Sequence, residues 1–202
     1  MRSFVALPAL ALLAACGPGV MSKSALVTSA GPQPADGLWA ILDQGCAAPT
    51  SGSLASWPEC AMPVWIGKGV ATALPNGTPN HLAFVVGGDD PRLVQVKGDM
   101  GKLAGMMSSL GDSIGGKPAG DSGAAEIPAY FYWTFVPEGA APYKRARLWR
   151  IACPATEIPG LAKPEEGQDS CEASTLAAVE AAGKLPAEPD KVQTAVWVAP
   201  AE

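Results

Sequence analysis

The chain has 202 residues and a formal net charge of −5, with only 16% charged residues, 23 glycines and 20 prolines. That length suits one domain with a sizeable core, and the acidic balance excludes a nucleic-acid partner, which needs a basic surface. Sparse charge with abundant Gly and Pro favours short elements joined by loops over a long-helix bundle.

In chain order, Met1-Arg2 supplies one positive charge, and Phe4 to Leu13 is an apolar run broken only by Pro8. Such a run is too short to span roughly 30 Å of hydrocarbon as a helix. A basic start and a short apolar core read as an export signal. Leu13-Ala14-Ala15-Cys16 then resembles the lipobox of bacterial lipoproteins. The resemblance covers residues 1–16. It implies cleavage before Cys16, a thioether-linked diacylglycerol on its sulfur and acylation of the new N-terminus. Several acyl chains anchor stably where one binds only marginally. Gly17 follows the cysteine where an Asp would favour retention in the inner membrane, so the resemblance implies an outer-membrane location, facing the periplasm. The expected organisation is a signal peptide at 1–15, a lipidated cysteine with a flexible tether at 16–36, and one globular domain at 37–202.

Gly37 to Leu42 reads as the first strand, followed by a Pro/Ser/Gly-rich loop from Gly45 to Cys60. Val64–Ile66 and Val70–Thr72 read as a second strand bent at Gly67 or Gly69. His81–Val86 and Arg92–Lys97 form a hairpin around Gly87 to Pro91. From Asp99 to Leu110 the period changes to three and four, through Met100, Leu103, Met107 and Leu110, which predicts a helix. Tyr130–Val136 alternates, with Phe131, Trp133 and Phe135 on one face and Tyr130, Tyr132 and Thr134 on the other. It pairs with Tyr143–Ala152 as a second hairpin. Asp169 or Ser170 starts a helix to about Ala182, and Val192–Val198 is the closing strand.

Short connections between strands favour antiparallel pairing. The fold class expected is therefore α+β: a strongly bent antiparallel sheet or partly closed barrel of about seven strands, with two short helices. Beyond Cys16 there are four cysteines, an even number that reads as disulfides in an exported protein. Of three possible pairings, Cys46–Cys60 and Cys153–Cys171 close short local loops. Without a C-x-x-C pair, a thiolate metal site is not expected, and no metal or cofactor is assigned.

Three catalytic motifs fail on context. Gly111-Asp112-Ser113-Ile114-Gly115 fits G-x-S-x-G, but the one histidine, His81, lies upstream and no strand feeds the turn. Gly120-Asp121-Ser122-Gly123 resembles a trypsin-like serine motif, but Ala124 replaces the expected Gly. Gly111 to Lys117 resembles a P-loop, but Pro118 stands where a magnesium-binding hydroxyl belongs. A serine hydrolase using Ser113 or Ser122 with His81 is carried as an alternative to a non-enzymatic protein. Lys144, Arg145, Arg147 and Arg150 lie on one strand beside the tyrosine-bearing strand. Tyr130, Tyr132, Arg145 and Arg147 are therefore candidates for a cationic, aromatic patch that binds an anionic envelope ligand or an acidic partner.

The expected function is a membrane-anchored envelope lipoprotein acting as a binding or scaffolding module, tied to the membrane through Cys16. Gly37-Leu38-Trp39 in the first strand, with a helix before the last, is similar to lipocalins. That similarity implies an alternative: a carrier of a small apolar ligand in a cavity lined by Trp39, Phe131, Trp133, Phe135 or Trp149.

Overall fold

The structure is a computed structural model and describes residues 19–74, 80–99, 128–164 and 170–200. Its strands are β1 (Gly19–Ser22), β2 (Gly37–Leu42), β3 (Ala61–Gly67), β4 (Val70–Ala73), β5 (Asn80–Gly87), β6 (Arg92–Asp99), β7 (Pro128–Glu138), β8 (Arg145–Arg150), β9 (Leu161–Ala162), β10 (Ser170–Ala173) and β11 (Gln193–Ala199). One α-helix among the described residues, α1, spans Leu176–Gly183.

Eight strands close on themselves. β2, β3, β4, β5, β6, β7 and β8 pair in succession, β11 pairs with both β8 and β2, and every one of these pairs is antiparallel. The result is an up-and-down barrel, which leaves no free edge in its wall. The expected seven-stranded, partly closed sheet is thus a closed barrel of eight. The extra strand comes from the stretch read as one bent strand. Lys68 and Gly69 both adopt positive φ, 52° and 73°, so β3 and β4 are joined by a two-residue hairpin turn rather than a bend.

β1, β10 and β9 extend the same sheet from the edge of β7 beyond the end of β8, and α1 packs against its outer face. β1 pairs antiparallel with β7 and parallel with β10, and β10 pairs with β9. Val20, Val27, Leu93, Tyr132, Ile151, Ala173, Val179 and Ala182 form the cluster between this layer and the outer face of β6 and β7. The helix begins later than its sequence suggests. Thr175 caps α1, its Oγ1 accepting from the Ala178 amide, while Ser170–Ala173 is a strand. Cys171 and Ala173 point into the cluster and Ser170 and Glu172 away, an alternation that overrides the residues' helical composition. The helix expected from Asp99 to Leu110 lies outside the described residues, apart from Asp99, which ends β6.

The expected flexible tether is also corrected. From residue 19 onward it belongs to the fold. Val20 is completely buried, and Val27 and Ala35 nearly so. The chain leaves β1, crosses the outside of β6 and closes one end of the barrel. There the Gly31 amide donates to Val86 O at 2.8 Å and the Ala35 amide to Tyr143 O at 2.8 Å. Leu26 and Val27 are held by Gln95, whose Oε1 accepts from both amides at 2.8 and 2.9 Å. Apolar burial and saturated backbone groups together outweigh the entropy of ordering a Gly/Pro/Ser-rich stretch.

The other outer face, across β2 and β11, is covered by the loop between β2 and β3. Trp57 and Cys46 pack there on Ala40, Leu42, Ala61, Val196 and Val198. The Cys46–Cys60 disulfide closes that loop, with Cα atoms 5.9 Å apart. A second disulfide joins Cys153 to Cys171, Cα atoms 5.7 Å apart, and ties the end of β8 to β10. Both pairings are those expected from loop length. No helix among the described residues is long and apolar enough to cross a membrane.

Candidate functional site

The strand registers divide the barrel's side chains into two faces. Trp39 lies opposite Val64 and Trp197, Val64 opposite Ala73, Phe84 opposite Val96, Val96 opposite Phe131, and Phe135 opposite Leu148. These residues line the interior. Glu138, Arg145, Arg147 and Lys97 fall on the alternate, outer register.

Burial along the interior is uneven. Trp39, Ile41, Val64, Val86, Phe135, Ala146 and Ala195 are buried, most of them in the half that the 31–36 segment closes. Trp39 sits there fully buried, its Nε1 donating to Ala35 O at 2.8 Å. In the opposite half, Leu82, Val96, Phe131, Trp133, Arg150 and Gln193 are only half-buried although they face inward, and Met62, Ile66, Leu148 and Trp197 pack half-buried against the Trp39 cluster. The less covered half, called the cup, presents Leu82, Val96, Phe131 and Trp133 on its wall. An eight-stranded barrel is either filled by its own side chains or holds one small ligand.

Of the residues expected to line such a space, the structure brings together Trp39, Phe131, Trp133 and Phe135 on the inner face. Trp39 and Phe135 belong to the filled half, Phe131 and Trp133 to the cup. Trp149 faces the other way: it lies opposite Thr134, whose Oγ1 donates to Gly183 O beneath α1.

The candidate surface patch does not assemble. Tyr132 is fully buried in the cluster that holds Val27, Val179 and Ala182, its hydroxyl 2.6 Å from Ser22 Oγ and donating to Gln95 Oε1 at 3.2 Å. Burial pushes its phenol pKa above the usual value, against the smaller opposing pull of the Ser22 hydrogen bond. Tyr130 packs half-buried against the same cluster. Arg145 and Arg147 are exposed and share one carboxylate, with Nε atoms 2.8 and 3.7 Å from Glu138. Glu138 lies eight residues along β7 from Tyr130, roughly 26 Å at strand rise. The pairing of β1 beside β7 was hidden from the sequence, since its four residues sit among Gly, Pro and Ser.

Two outer grooves accompany the cup. One of about 330 Å³ is lined by Leu42, Asp43, Cys46, Arg145, Val192 and Thr194. The other, of about 520 Å³, lies between Pro154, Ile158, Leu161, Lys163 and Cys171. Neither gathers a nucleophile with a base. Cys16, Ser113 and Ser122 lie outside the described residues, and of His81 only the backbone, in β5, is described.

No protein-family model matches the chain, and neither a curated protein nor a solved structure matches it.

Proposed function

We propose that this protein is a lipid-anchored component of a bacterial envelope, held at the outer membrane and facing the periplasm, whose barrel carries a small ligand with a large apolar part. The observation that supports the carrier reading is the half-buried inner wall of Leu82, Val96, Phe131 and Trp133, across the barrel from the end where Trp39 is fully buried. Apolar surface held open to water is recovered only when something covers it. The anchor reading is supported by Leu13-Ala14-Ala15-Cys16.

Titration of the full chain with the neutral fluorophore N-phenyl-1-naphthylamine tests the carrier reading. One saturable site is expected, with energy transfer from tryptophan. Leu82→Trp, which fills the cup from one wall, is expected to remove that site while leaving the circular dichroism spectrum unchanged. Absence of saturable binding would overturn the carrier reading.

The anchor is tested separately by fractionation. Wild-type chain made in a Gram-negative host is expected in the membrane fraction, carrying acyl chains by intact mass. Cys16→Ser is expected to lose the acyl mass. Equal mass shifts in both proteins would remove Cys16 as the attachment point.

A further inference from the structure

The larger outer groove lies beside the start of β1, away from the barrel interior. Pro154, Ile158, Pro159, Leu161, Pro164 and Cys171 line about 520 Å³ between the 154–164 loop and β10. Clefts of this size with mainly apolar linings are the usual form of a small-ligand site.

The groove is built from fixed parts. The Cys153–Cys171 disulfide ties the entry of the loop to β10. Leu161 and Ala162 pair with Ala173 and Glu172 as β9. Between them and Ile158 the chain turns at Gly160, with a φ of 82°. The Leu161 amide donates to Ile158 O at 3.0 Å and the Ser174 amide to Gly160 O at 2.8 Å. A Cβ on Gly160 would stand 2.8 Å from Thr175 Oγ1, so only glycine lets the loop approach this closely. Ile158 and Leu161 rest on the cluster that contains Val20 and Val179, yet each stays half-buried. A site already held in shape loses little entropy when something enters it.

Its place in the fold selects the occupant. Gly19 pairs with Ser170 and Val20 with Cys171, and Gly19 also bridges to Ala152. β1 therefore begins between the two disulfide-linked segments that border the groove. Cys16 stands three residues before Gly19, within about 11 Å of it at full extension. The two charged side chains of the lining, Glu157 and Lys163, are exposed and hold each other at 2.9 Å. They offer no seat for the head group of a free ligand. A hydrocarbon chain fastened at its own end nearby needs none.

We infer that this groove takes one acyl chain of the lipid on Cys16. The inference rests on the anchor reading and is independent of the carrier reading. The lipobox resemblance implies three chains, two on the glycerol and one on the N-terminal amine. With one in the groove, two remain for the leaflet, enough for stable anchoring. Each methylene against Ile158 and Leu161 is removed from water, and the domain is held in one orientation on its anchor.

The test uses the full chain made in a Gram-negative host, with the photoreactive residue p-benzoylphenylalanine placed at Thr156 or at Ala162, both exposed members of the lining. Ser51, exposed in the loop between β2 and β3, is the control position. Membranes are illuminated and the digested protein is weighed. The peptide bearing the probe is expected joined to the acylated N-terminal peptide, in at least tenfold higher yield from positions 156 and 162 than from position 51. Cross-links to free phospholipid instead would overturn the inference, because the bilayer itself would then cover the groove. Equal yields from all three positions would overturn it as well. An acylated chain with no lipid cross-link would overturn it and leave the anchor standing, whereas a chain without acyl mass would remove both. Two probe positions keep the outcome decisive if one variant fails to fold.

Discussion

Gln95→Leu is expected to destabilise the protein by about 3 kcal/mol or more, and to free the N-terminal segment before the barrel opens. Gln95 sits on the outer face of β6 and is almost fully buried. Its Oε1 accepts from the Leu26 and Val27 amides and from the Tyr132 hydroxyl, and its Nε2 donates to Val27 O at 3.2 Å. Leucine fills much the same volume and satisfies none of these. Each buried polar group left without a partner costs about 1–3 kcal/mol. Tyr132 keeps Ser22 as a partner, so the cost falls mainly on the two amides and the carbonyl. Urea unfolding measures the total. Hydrogen exchange locates it: the Leu26 and Val27 amides are expected to lose protection while those of β2 and β3 keep theirs. A loss under 1 kcal/mol would mean that Gln95 does not hold this segment.

Trp39→Ala is expected to cost about 4 kcal/mol through the barrel itself. Trp39 is fully buried in the filled half, among Ala35, Ile41, Val64 and Ala195. Removing an indole from such a site loses its transfer free energy and leaves a cavity, typically about 3–5 kcal/mol together. The variant also strips Ala35 O of the Nε1 donor. The segment that closes the barrel end is thereby loosened as well. Denaturant unfolding is the direct measure. Trp39→Phe, which restores most of the volume but not the donor, is expected to recover more than half of the loss. If alanine and phenylalanine are equally damaging, the hydrogen bond rather than the packing carries the effect.

The wall of the barrel was largely legible in the sequence, and its surroundings were not. Gly37–Leu42, His81–Val86, Arg92–Lys97, Tyr130–Val136 and Val192–Val198 carry local signals: apolar runs or period-two alternation bounded by Gly and Pro. Each lies within or close to an observed strand. The alternation of Phe131, Trp133 and Phe135 against Tyr130, Tyr132 and Thr134 also holds, because a two-residue period survives whichever neighbours the strand acquires. What failed depends on distant partners. Gly19–Ser22 becomes a strand only because β7 and β10 offer it hydrogen bonds across more than a hundred residues. Leu161–Ala162 and Ser170–Ala173 depend likewise on their tertiary setting.

The same cause explains the site. Tyr132 and Tyr130 belong to the outer register as read, but a layer invisible in the local sequence covers them. Arg150 reads with its neighbours Arg145 and Arg147 as one cationic run. Strand alternation alone separates odd from even positions and would have left Arg150 apart from Arg147 and Arg145. That signal was available and outweighed by the clustering of charge.

The early start of β1 has a mechanical consequence for a sulfur-linked anchor. Between Cys16 and Gly19 the chain spans three virtual bonds of 3.8 Å, a leash of about 11 Å at most. Were Cys16 to carry the proposed acyl chains, the domain would sit within that reach of the leaflet, with little freedom to tumble.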